Sequence, residues 1–174
     1  TEQWDKLFRV VTIKKGQYTY GPQGTLHGSP YAPTEEEKDM VELGFETNSD
    51  ITYRLYDWGR NMPDRPLHVE KVIETVNIPD DQNMGVDIVE KDIDGCKVAY
   101  FIDKPGIFTA FRIRVDENGT FERKEFMFLF CIDGEAEING TVIKKGETIF
   151  IPCNYGTLTI KGKAEFGGMT YRNL

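Results

Sequence analysis

No stretch of this sequence is apolar for long enough to cross a bilayer as a helix, which argues against a membrane-spanning protein. The residues from Thr1 to Arg9 have none of the shape of a secretory leader. Cysteine is scarce: Cys96, Cys131 and Cys153 are odd in number, widely spaced and form no Cys-x-x-Cys. They read as reduced, mostly buried thiols of a cytoplasmic protein. Basic charge is in deficit, with 21 Lys and Arg against 29 Asp and Glu and a net charge of −8. The two signs are interspersed, so no nucleic-acid surface is expected.

What remains is an ordinary globular composition, 39% hydrophobic and 29% charged. At 174 residues the chain has enough material for one large domain or two small ones with a real core. Asn118-Gly119-Thr120 and Asn139-Gly140-Thr141 match glycosylation sequons, but Asn-Gly is foremost a hairpin turn and is read as such.

The chain is organised around Gly16 to His27. Gly16 opens a turn, and Tyr18 and Tyr20 alternate with small or polar residues, as on a strand with one buried face. Pro22 and Gly24 bend the backbone and stop strand pairing. Thr25, Leu26 and His27 then start the next strand, and the rigid turn sets the side to which the imidazole points. Glycine, five residues, proline, one, glycine, two, histidine resembles the second sequence motif of the cupins. That resemblance implies a metal-ligating His27 at the mouth of a small antiparallel barrel. The plainer reading is a hydrogen-bonded structural histidine.

The stretch occurs twice. Ile13-Lys14-Lys15-Gly16 returns as Ile143-Lys144-Lys145-Gly146, with Pro22 and Pro152 six residues after each glycine. Gly24-Thr25-Leu26-His27 returns as Gly156-Thr157-Leu158-Thr159. Two related β units are implied rather than a solenoid, whose period would be much shorter. The second copy ends in Thr159, a poor metal ligand, so any metal belongs to the first unit. Phe126, Phe128 and Phe130 lie on one face of the long strand before the second copy and are expected to fill the second barrel. The equivalent strand of the first copy would precede Thr1, and His27 alone does not hold a zinc ion, which wants about three or four ligands. A missing N-terminal segment or a partner chain completing the first unit is therefore expected.

Between the copies, Val10 to Ile13 and Tyr18 to Tyr20 read as a hairpin turned at Lys15-Gly16. Met40 to Thr47 and the aromatic run from Asn48 to Arg60 read as strands. Gly28 to Lys38, with Glu35-Glu36-Glu37, reads as a surface loop. Apolar positions at 69, 72, 73 and 76, with Pro66 suited to a first turn, predict one helix near 66–76. Beyond Val86 the chain reads as short strands at Lys97–Ile102, Thr109–Val115, Phe121–Ile132, Ala136–Ile138, Thr148–Ile151, Leu158–Ile160 and Gly167–Tyr171. Asn118-Gly119, Asp133-Gly134 and Asn139-Gly140 are the expected hairpin turns. Tyr53, Tyr56 and Trp58 are expected mostly in the core.

Two segments carry a more specific resemblance: Gly24-Thr25-Leu26-His27, and Asn48-Ser49-Asp50-Ile51-Thr52-Tyr53-Arg54-Leu55-Tyr56-Asp57-Trp58-Gly59-Arg60 followed by Arg65-Pro66-Leu67-His68-Val69-Glu70-Lys71. They look like the type I mannose-6-phosphate isomerases of bacteria. The resemblance implies a mainly β, cupin (double-stranded β-helix) architecture. It would comprise a partial metal-type cupin over 1–62, a helix and linker over 63–85, and a complete metal-free cupin over 86–174. It implies a zinc-dependent isomerisation of mannose 6-phosphate and fructose 6-phosphate, with His27 as one metal ligand, Arg54 as the active-site cation and Arg60 as a contact to the sugar phosphate. The family's upstream Gln, His and Glu ligands have no counterpart here, and the loop after His27 is longer than usual.

The chemistry itself asks for a positive group to stabilise the enediolate oxygen, which a metal or a fixed guanidinium supplies. It also asks for a base near the carbon-bound proton. Asp50, Glu46 and Asp57 are the candidates for that base. Arg60 or Lys71 would meet the phosphate. Against these stand plainer roles: Arg54 pairing with Asp50 or Asp57, and a structural His68 at the helix start. A non-catalytic sugar-binding or regulatory cupin is the alternative function, and a structural partner domain for another chain is the third.

Overall fold

A computed structural model describes residues 9–28, 41–49, 51–60, 62–80, 86–104 and 106–171. The expectations for Glu35-Glu36-Glu37 and for Asp50 fall outside these residues. The chain divides into two compact units, Thr1–Val86 and Asp87–Leu174.

In the first unit the turn at Lys15-Gly16 is present. Gln17 N–H donates to Lys14 O at 3.0 Å and Gly16 has φ +89°. The strand it leads into is only β1, Gln17–Tyr18, paired with β2, Val86–Asp87. The strands expected at Val10–Ile13, Met40–Thr47 and Asn48–Arg60 are irregular among the described residues. Strand propensity needs a ladder partner to be realised, and Val10, Val41 and Ile51 are largely exposed. Tyr53 and Trp58, expected in the core, are 38% and 46% exposed. The helix is α1, Val69–Thr75. Its inward residue is Val72, buried at 3%. Its last turn closes with Val76 N–H on Val72 O and Thr75 Oγ1 on Lys71 O.

The second unit is an eight-stranded antiparallel sheet. Its strands are β3 (Lys91–Ile93), β4 (Cys96–Lys104), β5 (Phe108–Val115), β6 (Asn118–Phe121), β7 (Met127–Ile138), β8 (Thr141–Lys144), β9 (Thr148–Ile151) and β10 (Leu158–Thr170). The order is β3-β4-β5-β10-β7-β8, with β6 also on β10 and β9 also on β7. β10 therefore carries β6 along its first half and β5 along its second. The two segments expected at Leu158–Ile160 and Gly167–Tyr171 are one strand, and Ala136–Ile138 is the end of β7.

The face assignment of β7 reverses the expectation. Met127, Leu129 and Cys131 are fully buried, whereas Phe128 is 47% exposed and stacks at 5.1 Å on Phe150, which is 52% exposed. Phe126 and Phe130 are half-buried. Glu165 pairs with Asp133 and Phe166 with Cys131, so Ile132 is an extra residue in β7. This β-bulge switches the inward parity from odd (127, 129, 131) to even (Ala136, Ile138). Asp133-Gly134, expected as a turn, belongs to this irregular stretch within the strand. A Cβ on Gly134 would lie 2.1 Å from Lys163 O, and its φ is +75°.

Asn118-Gly119 is also not a turn: the chain reverses at Asp116-Glu117, and Asn118-Gly119 pairs with Lys161 and Ile160. A Cβ at Gly119 would meet Cys96 Sγ at 2.5 Å, so glycine serves a close crossing there. Asn139-Gly140 is a hairpin turn, with both residues left-handed and Ile138 opposite Thr141. The interior joins Phe111, Ile113, Met127, Leu129, Leu158, Ile160 and Phe166 into one apolar cluster. Full burial of each such side chain is worth roughly 1.5–3 kcal/mol. Cys96 and Cys131 are buried in this cluster and Cys153 is exposed, all three as free thiols. Burial, with Asp92 and Asp94 nearby, pushes the Cys96 thiol up to about 11.

Candidate functional site

The run Asp57-Trp58-Gly59-Arg60 folds into a tight turn. Arg60 N–H donates to Asp57 O at 2.9 Å, and Trp58 and Gly59 both have positive φ, +53° and +73°. Glycine accepts that conformation readily; a tryptophan held there is uncommon. The turn brings Arg60 back onto Asp57, with Nη2 at 2.6 Å from Oδ1 and Nε donating to the backbone oxygen at 3.3 Å. Arg65 adds Nε to Oδ2 at 3.2 Å and Nη2 to Oδ1 at 3.3 Å. Arg54 stands alongside, its Nε 3.9 Å from Oδ1.

One carboxylate thus faces three guanidinium groups, leaving local positive charge on side chains that are 22%, 36% and 39% exposed for Arg54, Arg60 and Arg65. The Arg65 hydrogen bond, opposed by burial and reinforced by Arg60, holds the Asp57 carboxyl below its ordinary value. Asp57, considered above as a proton-transferring base, is instead an ionised anchor whose lone pairs are engaged by arginines. Glu46 is exposed on its segment. Arg65 was not singled out from the sequence. Three arginines at 54, 60 and 65 around a single Asp-x-Gly turn were the available signal.

Arg54 is fixed from the other side by His68. Arg54 N–H donates to His68 Nδ1 at 3.1 Å, and His68 N–H donates to Arg54 O at 2.8 Å. Arg54 Nη1 donates to Pro66 O at 3.3 Å. The His68 ring lies 6.0 Å from that of Tyr53, and Lys71 Nζ sits 5.4 Å over the same tyrosine ring. His68 therefore acts through backbone and packing, and Lys71 covers an aromatic face.

His27 belongs to the other segment. Thr25 N–H closes the bend on Pro22 O at 3.1 Å, and Gly24 has φ +84°. Asn77, just beyond α1, donates its N–H to Gly24 O at 2.9 Å and its Nδ2 to Gln23 O at 2.8 Å. Since a carbonyl only accepts, His27 Nδ1–H is the donor to Thr25 O at 2.9 Å. In the neutral ring this leaves the lone pair on Nε2, on an exposed side chain, as a metal-ligating histidine requires. The donor is suitable but single: among the described residues no group of three His, Cys, Asp or Glu side chains is placed to hold a metal ion. α1 ties the two segments together, with His68 before it on Arg54 and Asn77 after it on Gly24. Its seven residues span on the order of 10 Å.

Residues 100–167 match the mannose-6-phosphate isomerase cupin domain. Mannose-6-phosphate isomerase ManA of Bacillus subtilis (strain 168) is 29% identical over 171 residues, covering 94% of this chain and 51% of that protein. The chain is related to the mannose-6-phosphate isomerases. A probable mannose-6-phosphate isomerase of the same organism, GmuF, is 28% identical with the same coverage. The chain spans about half the length of these isomerase relatives. The crystal structure of the Bacillus subtilis mannose 6-phosphate isomerase aligns with a TM-score of 0.59 at 23% identity, over 70% of this chain and 41% of that one. The isomerase shares the fold seen here: mainly β, antiparallel, of the cupin type. Among the described residues, no helix is long and apolar enough to cross a membrane.

Proposed function

We propose that this chain is the C-terminal part of a cytoplasmic mannose-6-phosphate isomerase, interconverting mannose 6-phosphate and fructose 6-phosphate. The observation that carries the reading is the relatedness to named isomerases along nearly the whole chain. In it, residues 1–62 are part of a metal-type cupin and 86–174 form a metal-free one.

The metal, zinc in this reading, supplies a Lewis acid for the sugar oxygens when bound. His27 Nε2 is this chain's contribution to holding it, and the remaining ligands come from residues outside those described. Arg54 is the cation for the enediolate oxygen. Asp57 Oδ1 near its Nε and Pro66 O on its Nη1 hold the guanidinium plane in place. Such a preorganised donor needs no reorganisation when charge develops. Arg60 meets the phosphate while Asp57 orients it, and Arg65 shares that load.

The test uses the whole gene product. Coupled turnover of mannose 6-phosphate and elemental analysis are measured together for the parent, His27→Gln and Arg54→Ala. The expected result is one zinc and turnover in the parent, loss of both with His27→Gln, and retained zinc with lost turnover for Arg54→Ala. A protein with no metal and no turnover that still binds sugar is a non-catalytic sugar-binding cupin instead. A native mass that includes a second, different chain points to a completing partner.

A further inference from the structure

The second unit contains an open cavity of about 350 Å³ that plays no part in the site above. This is at the low end of small-molecule sites, roughly 300–1,000 Å³. Its wall includes Asp94, Tyr100, Thr120, Phe121, Glu122 and Thr157. We propose that this cavity binds an uncharged polyhydroxylated ligand, a sugar or polyol without phosphate. The proposal does not rest on the isomerase reading.

The wall combines two kinds of surface. Asp94 and Glu122 offer acceptor-only carboxylates, which make strong bonds to hydroxyl donors. Thr120 adds a hydroxyl that donates or accepts, and Thr157, whose proton goes to Glu122, adds an acceptor. Tyr100 is 43% exposed and supplies aromatic surface, and Phe121, 4% exposed, adds apolar wall. A sugar ring has the matching pair of surfaces, hydroxyls at its rim and C–H groups on its faces. The residues lining the cavity carry two acidic groups and no basic one, so a phosphate dianion meets like charge there. Arg123 borders the cavity at Tyr100, with Nη1 donating to Tyr100 Oη at 3.3 Å and Cζ 5.8 Å over its ring, and its charge is offset by Glu125, 3.3 Å from Nε.

The groups are held before any ligand arrives. Asp94 and Gly95 form the two-residue β3–β4 turn, with Ile93 opposite Cys96 and φ of +48° and +81°. Asp94 O accepts from Thr120 N–H at 2.9 Å, docking the turn on β6. A Cβ at Gly95 would lie 2.5 Å from Asn118 O, so the turn and β6 are in backbone contact. Thr157 Oγ1 donates to Glu122 Oε2 at 2.5 Å and sets that carboxylate's orientation. Fixed acceptors lower the cost of ordering on binding.

The test is an amide NMR titration of the 174-residue chain with D-mannose, D-mannitol, mannose 6-phosphate and choline. The expected result is saturable shifts at Asp94, Thr120, Glu122 and Thr157 with mannose or mannitol. Mannose 6-phosphate should be weaker at these residues by about tenfold or more. Glu122→Gln, an exposed position, and Tyr100→Leu should each weaken the sugar by about tenfold, the scale of one lost charged hydrogen bond or aromatic contact. No shift at these amides with either uncharged probe overturns the proposal. So does mannose 6-phosphate binding there as tightly as mannose, or choline binding more tightly than either. If Tyr100→Leu unfolds the chain, Glu122→Gln decides.

Discussion

The two copies of the Ile-Lys-Lys-Gly stretch share a backbone and differ in what is built on it. In the first, Gly16 has φ +89°, Gln17 N–H donates to Lys14 O at 3.0 Å, and Gln17 Oε1 accepts from Lys14 N–H at 3.0 Å. In the second, Gly146 has φ +87°, Glu147 N–H donates to Lys144 O at 2.9 Å, and Glu147 Oε2 accepts from Lys144 N–H at 2.7 Å. The same residue pattern closes the same turn. The second copy then enters β9 against β7, with a sheet and a core behind it, whereas the first leads through two residues of β1 into the bend before His27. The resemblance is thus local geometry, set by glycine and one side-chain acceptor. The difference is the neighbourhood: a scaffold in one copy, an exposed imidazole in the other.

The largest effect that would break this contrast is catalytic. In the whole protein, Arg54→Ala should lower kcat by about a hundred- to a thousandfold, as when one preorganised oxyanion donor is removed. Thr159→Ala, at the position in the second copy that matches His27, should leave kcat unchanged. A comparable loss with Thr159→Ala in steady-state assays would show that the second copy is more than scaffold.

Next come the paired bends. A Cβ at Gly24 would lie 2.7 Å from Thr75 O, whereas one at Gly156 meets nothing within 4 Å, and both have positive φ. Gly156→Ala should cost about 1–2 kcal/mol from conformation alone. Gly24→Ala should add about 1–3 kcal/mol of overpacking. Urea midpoints separate them. The only tryptophans, Trp4 and Trp58, report on the first unit, and far-UV circular dichroism is dominated by the second. Gly16→Ala and Gly146→Ala meet no atom within 4 Å at either site and should match each other.

A pH series sharpens the comparison further. Asp57's folded pKa is lowered, so between its folded and unfolded values the unfolded state binds more protons. The stability it lends is complete above the ordinary carboxylate value of about 3.9 and is lost as pH falls through the lower folded value. Trp58 fluorescence should report loosening in that acid window, and Asp57→Asn should remove this component. The smallest effect is chemical. A thiol reagent at pH 8 should modify exposed Cys153 and spare Cys96, whose thiol sits near 11; mass spectrometry counts the adducts.

Much of this was legible from residues alone. The helix followed from apolar spacing around Val72, and Thr148–Ile151 and the Asn139-Gly140 turn followed from alternation and turn chemistry. Met127, Leu129 and Cys131 against Phe128 and Phe130 was not legible. Both sets alternate correctly, and only the partner strand decides which face looks inward. Asp133-Gly134 and Asn118-Gly119 carry turn residues for another reason, close backbone approach, which composition does not distinguish from a turn. At the site, His27 and Arg54 stood out as residues, while the gathering of Arg54, Arg60 and Arg65 on Asp57 did not.

By itself, the sequence determined the local events: which glycines turn the chain, where a helix forms, which residues carry charge or an imidazole. These depend on neighbours a few positions away. Only the folded chain decided which β face is buried and that Asp57 is an arginine anchor rather than a base. Each of those outcomes depends on a hydrogen bond or contact whose partner the local pattern does not specify, and burial energy is fixed only once that partner is in place.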